Sequence, residues 1–102
     1  MDSFGVYLKE ISKFPLLTGS QEIELFRSMS AAAQLQEQTE PLTKEQQRIV
    51  KRGATAKTRM INSNLKLVVH IAKRYTHIIK NLDMLDIVQE GTLGLIRATE
   101  SF

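Results

Sequence analysis

The chain of 102 residues has no cysteine, which excludes disulfide bonds, thiolate metal sites and cysteine nucleophiles. It also has no apolar run near the roughly 20 residues that span a bilayer, so we expect no contact with a membrane. A basic segment followed by an apolar stretch, the pattern of a secretory signal, is missing from the amino terminus. These absences fit a reducing compartment, and we expect a cytoplasmic protein.

Strand-like alternation of apolar and polar residues is also missing over any useful length, whereas helical spacing recurs throughout. We therefore predict an all-α fold. The composition of the chain, 42% hydrophobic and 25% charged residues, suits a compact helical domain of about four to five helices. A long central helix and an amphipathic carboxy-terminal helix are the strongest of these.

Charge is unevenly distributed along the chain. The segment from Lys44 to Lys80 carries +9, whereas residues 1–43 and residues 81–102 each carry −3. This separation favours a polyanion as the partner of the middle segment and a basic protein surface as the partner of the last one. The alternative is a lysine-rich, solvated helix in an ordinary bundle.

Capping residues mark where the first three helices begin. Asp2 can cap a first helix that ends near Ser12. Thr18–Gln21 and Thr43–Gln46 each have the capping-box pattern that starts a helix. The inward positions that this spacing predicts are Phe4, Leu8 and Ile11 in the first helix, and Ile23, Phe26 and either Met29 or Ala33 in the second.

Further along, the third helix is expected to be interrupted near Gly53, and residues 54–76 then form the strongest helix. Residues 76–82 are a predicted loop. The predicted apolar stripe of the 54–76 helix is Met60, Ile61, Leu65, Val68, Ile71, Ala72 and Tyr75. Its opposite side carries Arg59, Lys66, His70, Lys73 and Arg74. Asn64 falls on the apolar arc, where a buried amide needs a partner or a ligand.

The last helix, over residues 82–98, separates into an apolar arc and a polar one. The apolar arc holds Met84, Ile87, Val88, Leu95 and Ala98. The polar arc holds Asp83, Asp86, Gln89, Glu90 and Arg97, with Leu93 in its middle. An apolar side chain ringed by acids and amides is typical of a protein-docking anchor.

Gly91 and Gly94 lie inside this helix, where each costs about 1 kcal/mol relative to alanine. Close approach of another helix or of a partner would offset that cost. No strand precedes them, so they do not form a phosphate-binding loop.

Catalysis has little support, and we expect neither enzymatic activity nor a cofactor or metal. His70 and His77 lack a neighbouring carboxylate at the spacing of a helical metal site. Asp83, Asp86 and Glu90 are better explained as solvated or partner-facing carboxylates than as metal ligands.

The basic side of the 54–76 helix is a moderate signal for nucleic acid, because several cations on one face can neutralise phosphates without reading sequence. Phe4, Tyr7 and Phe14 are candidates for stacking on unpaired bases. For Phe4 and Phe14 we favour the simpler interpretation, a place in the core.

Two long motifs carry a family resemblance. NLKLVVHIAKRY at 64–75 and LDIVQEGTLGLIRATESF at 85–102 resemble the first half of conserved region two of bacterial RNA polymerase sigma factors. YLKEI at 7–11 and PLLTGSQEI at 15–23 resemble the segment before region two in housekeeping-like members. The resemblance divides residues 1–102, a single domain, into a preceding conserved segment (1–27), a variable connector (28–52) and core-binding helices (53–102).

The resemblance implies that the last helix binds core RNA polymerase, on the coiled coil of the largest subunit. Matching positions are Asp86, Gln89, Glu90, Thr92 and Ile96, with Leu65 and Val68 nearby. Leu93, identified from the pattern alone, would add apolar area to this contact. An anti-sigma factor is a possible competitor for the same surface.

The second implied partner is promoter DNA. The family pocket for a flipped promoter base matches Glu22, Asn64 and Leu67, and discriminator contacts match Tyr7, Leu8 and Lys9. The basic side of the long helix, through Lys66, Lys73 and Arg74, would then lie along the DNA. Family members often differ at Ser3, Gly5, Ser12 and Thr92, and the discriminator contacts are the ones most affected.

The chain reaches Phe102 before the aromatic-rich segment that melts promoters in this family. We expect either a fragment of a longer sigma factor, active in transcription initiation, or a truncated competitor that occupies polymerase without opening a promoter. A generic helical adaptor is the third possibility.

Overall fold

The computed structural model describes residues 3–74 and 83–100. Within these ranges the secondary structure is five helices and no strand, which confirms the all-α prediction. The helices are α1 (Ser3–Ile11), α2 (Gly19–Gln36), α3 (Lys44–Ser63), α4 (Leu65–Lys73) and α5 (Met84–Thr99). None of the helices in the described ranges is long and apolar enough for a membrane crossing. The predicted cap at Asp2 and the predicted loop at 76–82 lie outside the described residues.

Both predicted capping boxes are present. The Gln21 backbone N–H donates to Thr18 Oγ1 (3.2 Å), and the Thr18 backbone N–H donates to Gln21 Oε1 (2.9 Å). At the start of α3, Thr43 and Gln46 make the same reciprocal pair at 3.1 and 3.0 Å. Each box satisfies two amide donors, one at the cap itself and one in the first helical turn. The starts of α2 and α3 are therefore fixed by local sequence.

Two helix predictions are wrong in the middle of the chain. α3 passes through Gly53 without interruption. A Cβ at Gly53 would collide with Ala32 Cβ and lie 2.9 Å from the Ser28 carbonyl oxygen, so the glycine permits close packing of α2 on α3. Conversely, the helix predicted over residues 54–76 is divided at Asn64, which has ψ near 0° and separates α3 from α4. Asparagine is a poor residue for a helix interior because its side chain competes for backbone groups.

Contacts divide the chain into two compact units. The first unit comprises residues 1–16 and 61–102, with α1, α4 and α5. The second unit comprises residues 17–60, with α2 and most of α3. A single domain over residues 1–102 stays a prediction.

The core of the first unit is built mainly from branched aliphatic side chains. Ile11, Leu65, Val69, Ala72 and Val88 are buried, and Val88 has no exposed surface. Val69 was missed by the predicted stripe, and Ile71, predicted to be buried, is 45% exposed. The reason is the break at Asn64: α4 starts a new helical phase, in which Leu65, Val69 and Ala72 are spaced i, i+4, i+7. Tyr75, the last residue of the predicted stripe, lies outside the described residues.

The core of the second unit is smaller. Met29, Ala56 and Met60 are buried, with Leu17 and Leu25 packed against them. The inward prediction is correct for Met29 and wrong for Ile23 and Phe26, which are 54% and 40% exposed. The buried positions of α2 are Met29 and Ala32, which places Ile23 on the opposite side of the helix and Phe26, three residues before Met29, at the exposed edge of the buried face.

Candidate functional site

α5 buries one face and exposes the other. Val88 lies in the first-unit core, and Met84 and Ile87 pack against it, as predicted. The opposite face, here called the acidic face, consists of Asp86, Gln89, Glu90 and Leu93, all exposed. The division confirms the two arcs predicted for this helix, except that Ala98, placed on the apolar arc, is exposed.

The polar groups of the acidic face are available to a partner. Between described residues, no hydrogen bond or ion pair engages the side chain of Asp86, Gln89 or Glu90. Leu93 is 45% exposed among them. Asp83 is different, because its carboxylate accepts from the Leu85 backbone N–H at 3.5 Å and so caps α5.

The other predicted polymerase-binding residues are more enclosed. Thr92 is half-buried, and its hydroxyl donates to the Val88 carbonyl oxygen at 2.8 Å. Ile96 and Val68 are also half-buried, whereas Leu65 is only 8% exposed and belongs to the core. Contact through these positions stays a prediction, and burial limits Leu65 to supporting the helices that carry the surface.

The two glycines of α5 have different surroundings. A Cβ at Gly91 would lie 2.8 Å from Val68 Cγ1, so close approach of α4 to α5 accounts for this glycine. At Gly94 a Cβ would meet no atom of the described residues within 4 Å beyond the backbone of α5 itself. The packing of the described residues therefore explains one glycine and leaves the second, on the exposed side, without an internal reason.

The predicted DNA-binding residues of α1 have mixed exposure. Tyr7 and Leu8 are half-buried and pack against the first-unit core, whereas Lys9 is exposed. Tyr7 stacks on Phe4, with ring centroids 6.5 Å apart. Phe4 and Phe14 also pack against this core, which confirms their assignment as core residues.

On α4, an apolar pair is exposed among basic residues. Leu67 is 52% exposed and Ile71 45%. His70, Lys73 and Arg74 are exposed around them, and Lys66 is half-buried. Leu67 and Ile71 are spaced i and i+4, so a helix that begins at Leu65 predicts that they share one face, away from the buried Leu65, Val69 and Ala72.

The remaining pocket residues lie in different units. Asn64 is half-buried, and its Nδ2 donates to Ser63 Oγ at 3.4 Å. Glu22 is exposed in the first turn of α2, in the second unit. Their joint role at a promoter base stays a prediction. Within the described ranges, no group of three histidine, aspartate or glutamate side chains is arranged to hold a metal ion.

Comparison with known proteins adds two family matches. The model of sigma-70 factor region 1.2 matches residues 2–25, and the model of sigma-70 region 2 matches residues 60–102. The first match covers α1 and the start of α2, and the second covers the end of α3 together with α4 and α5.

Characterised relatives match nearly the whole chain. RNA polymerase sigma factor SigA4 of Synechococcus elongatus is 41% identical over 102 residues, covering 99% of this chain and 32% of that protein. RNA polymerase principal sigma factor HrdD of Streptomyces viridifaciens is 39% identical, with the same coverage. RNA polymerase sigma factor SigA of Nostoc is 36% identical, covering 99% of this chain and 30% of that protein. The chain thus spans about a third of the length of these relatives.

The sequence motifs lie within the two segments that these models match. The region 2 segment also carries the acidic face of α5 and the exposed basic and apolar side chains of α4. The chain belongs to the sigma-70 family, over its regions 1.2 and 2.

Proposed function

We propose that this chain acts in transcription initiation, in the cytoplasm, by binding core RNA polymerase through α5 and promoter DNA through α1 and α4. The observation that carries the polymerase contact is the acidic face. Asp86 and Glu90 are exposed without ion-pair partners among the described residues, while Val88 on the opposite side is fully buried. A helix divided in this way packs one face into the core and presents its charges outward.

The chemistry of this surface suits a basic coiled coil. Complementary charge orients two proteins and accelerates their encounter, and apolar anchors supply most of the affinity. Leu93 is the exposed anchor, and Ile96 and Thr92 add half-buried surface beside it. The relatives named above are RNA polymerase sigma factors, which supports polymerase as the partner.

Charge reversal tests the polymerase contact. We expect Asp86→Lys together with Glu90→Lys to weaken binding to core RNA polymerase by about 2 kcal/mol or more, close to a thirtyfold loss of affinity. Fluorescence anisotropy of the labelled chain, titrated with core enzyme, measures this directly. The matched control is Glu24→Lys with Glu37→Lys, which makes the same change in net charge at exposed positions of the second unit.

Equal affinity of the reversed chain and the unaltered chain would exclude the acidic face as the docking surface. Equal losses of polymerase affinity in the reversed chain and in the control would mean that net charge alone causes the effect.

The DNA contact has a separate test. Arg74 is exposed at the end of α4, and Leu67 and Ile71 offer apolar surface next to it. We expect Arg74→Ala to weaken binding of forked promoter DNA by the polymerase complex, because each exposed phosphate contact contributes to affinity. Lys44→Ala is the control, since Lys44 is also exposed but lies in the second unit. Unchanged DNA affinity after Arg74→Ala would mean that Arg74 does not contact the DNA.

A further inference from the structure

A groove of about 490 Å³ lies between α2 and α3, within the second unit. It uses none of the residues that the proposed function assigns to polymerase or DNA. Its lining divides by chemistry into an apolar floor, two hydroxyl groups and a basic rim. We call it the basic groove.

The rim consists of Lys51, Arg52 and Arg59, all exposed on α3. Lys51 and Arg59 are eight residues apart, so their Cα atoms are separated by about 12 Å along the helix axis. No acidic residue is among the described residues that line the groove. Three cations therefore face one opening without a neutralising carboxylate from the described part of the chain.

These cations are also unpaired within the described part of the chain. Arg48, on the same helix, pairs with Glu45 at 3.3 Å, whereas no ion pair between described residues engages Lys51, Arg52 or Arg59. The groove accordingly has an attraction for negative charge that no described residue satisfies by an ion pair.

The floor has a different chemistry. Leu25 and the buried Ala56 form it, and Ser28 and Thr55 contribute hydroxyl groups. The Thr55 hydroxyl already donates to the Lys51 carbonyl oxygen at 3.2 Å. An apolar concavity with a polar rim is the form of a pocket that receives a large apolar side chain.

We propose that the basic groove binds an acidic peptide segment of a partner protein, in which a large apolar side chain is flanked by carboxylates. The apolar residue fills the space over Leu25 and Ala56, and the carboxylates meet the rim cations. Nucleic acid fits less well. Phosphates would use the rim but leave the apolar floor empty, and bases would need aromatic stacking partners, of which there is none among the described lining residues.

Selection from a random-peptide display library on the full chain tests this proposal. A chain carrying Lys51→Glu and Arg59→Glu serves for counter-selection. We expect the recovered peptides to share a leucine, phenylalanine or tryptophan between aspartates or glutamates. Their affinity, measured by fluorescence anisotropy, should fall about tenfold or more on the double reversal.

Two further variants separate charge from shape. Arg27→Glu with Lys44→Glu makes the same change in net charge at exposed positions outside the groove, and should leave peptide affinity unchanged. Thr55→Phe fills the groove from an exposed position without changing charge, and should lower affinity to a similar extent as the reversal. Circular dichroism of each variant checks that its helices are retained.

Three results would overturn the proposal. The first is a set of selected peptides without an acidic and apolar consensus. The second is equal binding of the selected peptides to the charge-reversed chain. The third is a duplex oligonucleotide whose binding depends on Lys51 and Arg59 while no selected peptide depends on them, since the groove would then be a nucleic-acid site.

Discussion

Each of the two units is stabilised internally by a different kind of packing. The first unit buries Ile11, Leu65, Val69 and Val88, which are branched aliphatic side chains with few rotamers. The second buries two methionines, Met29 and Met60, beside Ala56. Methionine is unbranched and adapts to irregular space, so it specifies packing less sharply.

The second unit has no branched aliphatic residue among its buried core residues, and its two helices instead pack with their backbones close together. Gly53 allows α3 to approach Ala32 and the Ser28 carbonyl of α2 more closely than any side chain would permit. Capping boxes at Thr18 and Thr43 fix the starts of both helices. One all-α chain therefore relies on side-chain shape in one unit and on backbone fit in the other.

The division also follows the family matches. Regions 1.2 and 2 match residues 2–25 and 60–102, which include all the described helices of the first unit. Residues 26–59 belong to the second unit and contain the whole basic rim of the groove. The surfaces proposed from the family and the surface proposed from the groove are therefore largely separate, and each can be altered alone.

Val88→Ala is the most severe test of the first unit. The side chain has no exposed surface, and its truncation should lower the free energy of unfolding by about 2 kcal/mol through lost burial and a residual cavity. Urea denaturation followed by circular dichroism measures the change. Val6→Ala is the control, because Val6 is 48% exposed and should cost less than about 0.5 kcal/mol. Equal losses at the two valines would contradict a first unit specified by its branched core.

Gly53→Ala tests the backbone fit of the second unit. Alanine gains about 1 kcal/mol of helix propensity, but its Cβ must displace α2 backbone and the Ala32 side chain. We expect a net loss of about 1 to 2 kcal/mol in the free energy of unfolding, with reduced amide protection in α2 and α3. A gain in stability would mean that α2 yields easily and that close approach does not hold this unit.

Gly94→Ala should have the smallest effect and the opposite sign. Apart from the backbone of α5 itself, no atom of the described residues lies within 4 Å of the added methyl group, so helix propensity should dominate and the chain should gain up to about 1 kcal/mol of stability. Thermal unfolding measures the gain. The informative second readout is affinity for core RNA polymerase: a stabilised chain that binds more weakly would place Gly94 under a closely packed partner. A loss of stability would instead mean that Gly94 has a packing role within the chain.

Much of this architecture could be predicted from local sequence. The capping boxes, the buried and exposed faces of α5 and the core positions of α1 depend on short-range spacing, and they are confirmed except at Ala98 of α5. Asn64 and Gly53 could not be interpreted in the same way. The break at Asn64 and the close helix packing at Gly53 depend on which helices lie against these residues. A periodic pattern contains no information about the neighbouring helices.

The basic groove shows the same limit for sites. An excess of positive charge in the middle segment was visible in the sequence, but only the packing of α2 on α3 sets Leu25 beside Lys51 and Arg59. The acidic face could be predicted because all of its residues lie on one helix. A site assembled from two helices requires the fold.

Two ion pairs between described residues are local. Lys13–Glu10 and Arg48–Glu45 each join residues three apart on the same stretch of chain, with both side chains more than 60% exposed. Such pairs contribute little to folding, so added salt should barely alter the helical content. The contacts proposed for Asp86, Glu90 and the groove cations join exposed charges to a partner, and raising ionic strength should weaken them. Titration with sodium chloride therefore separates assembly from folding in a single sample.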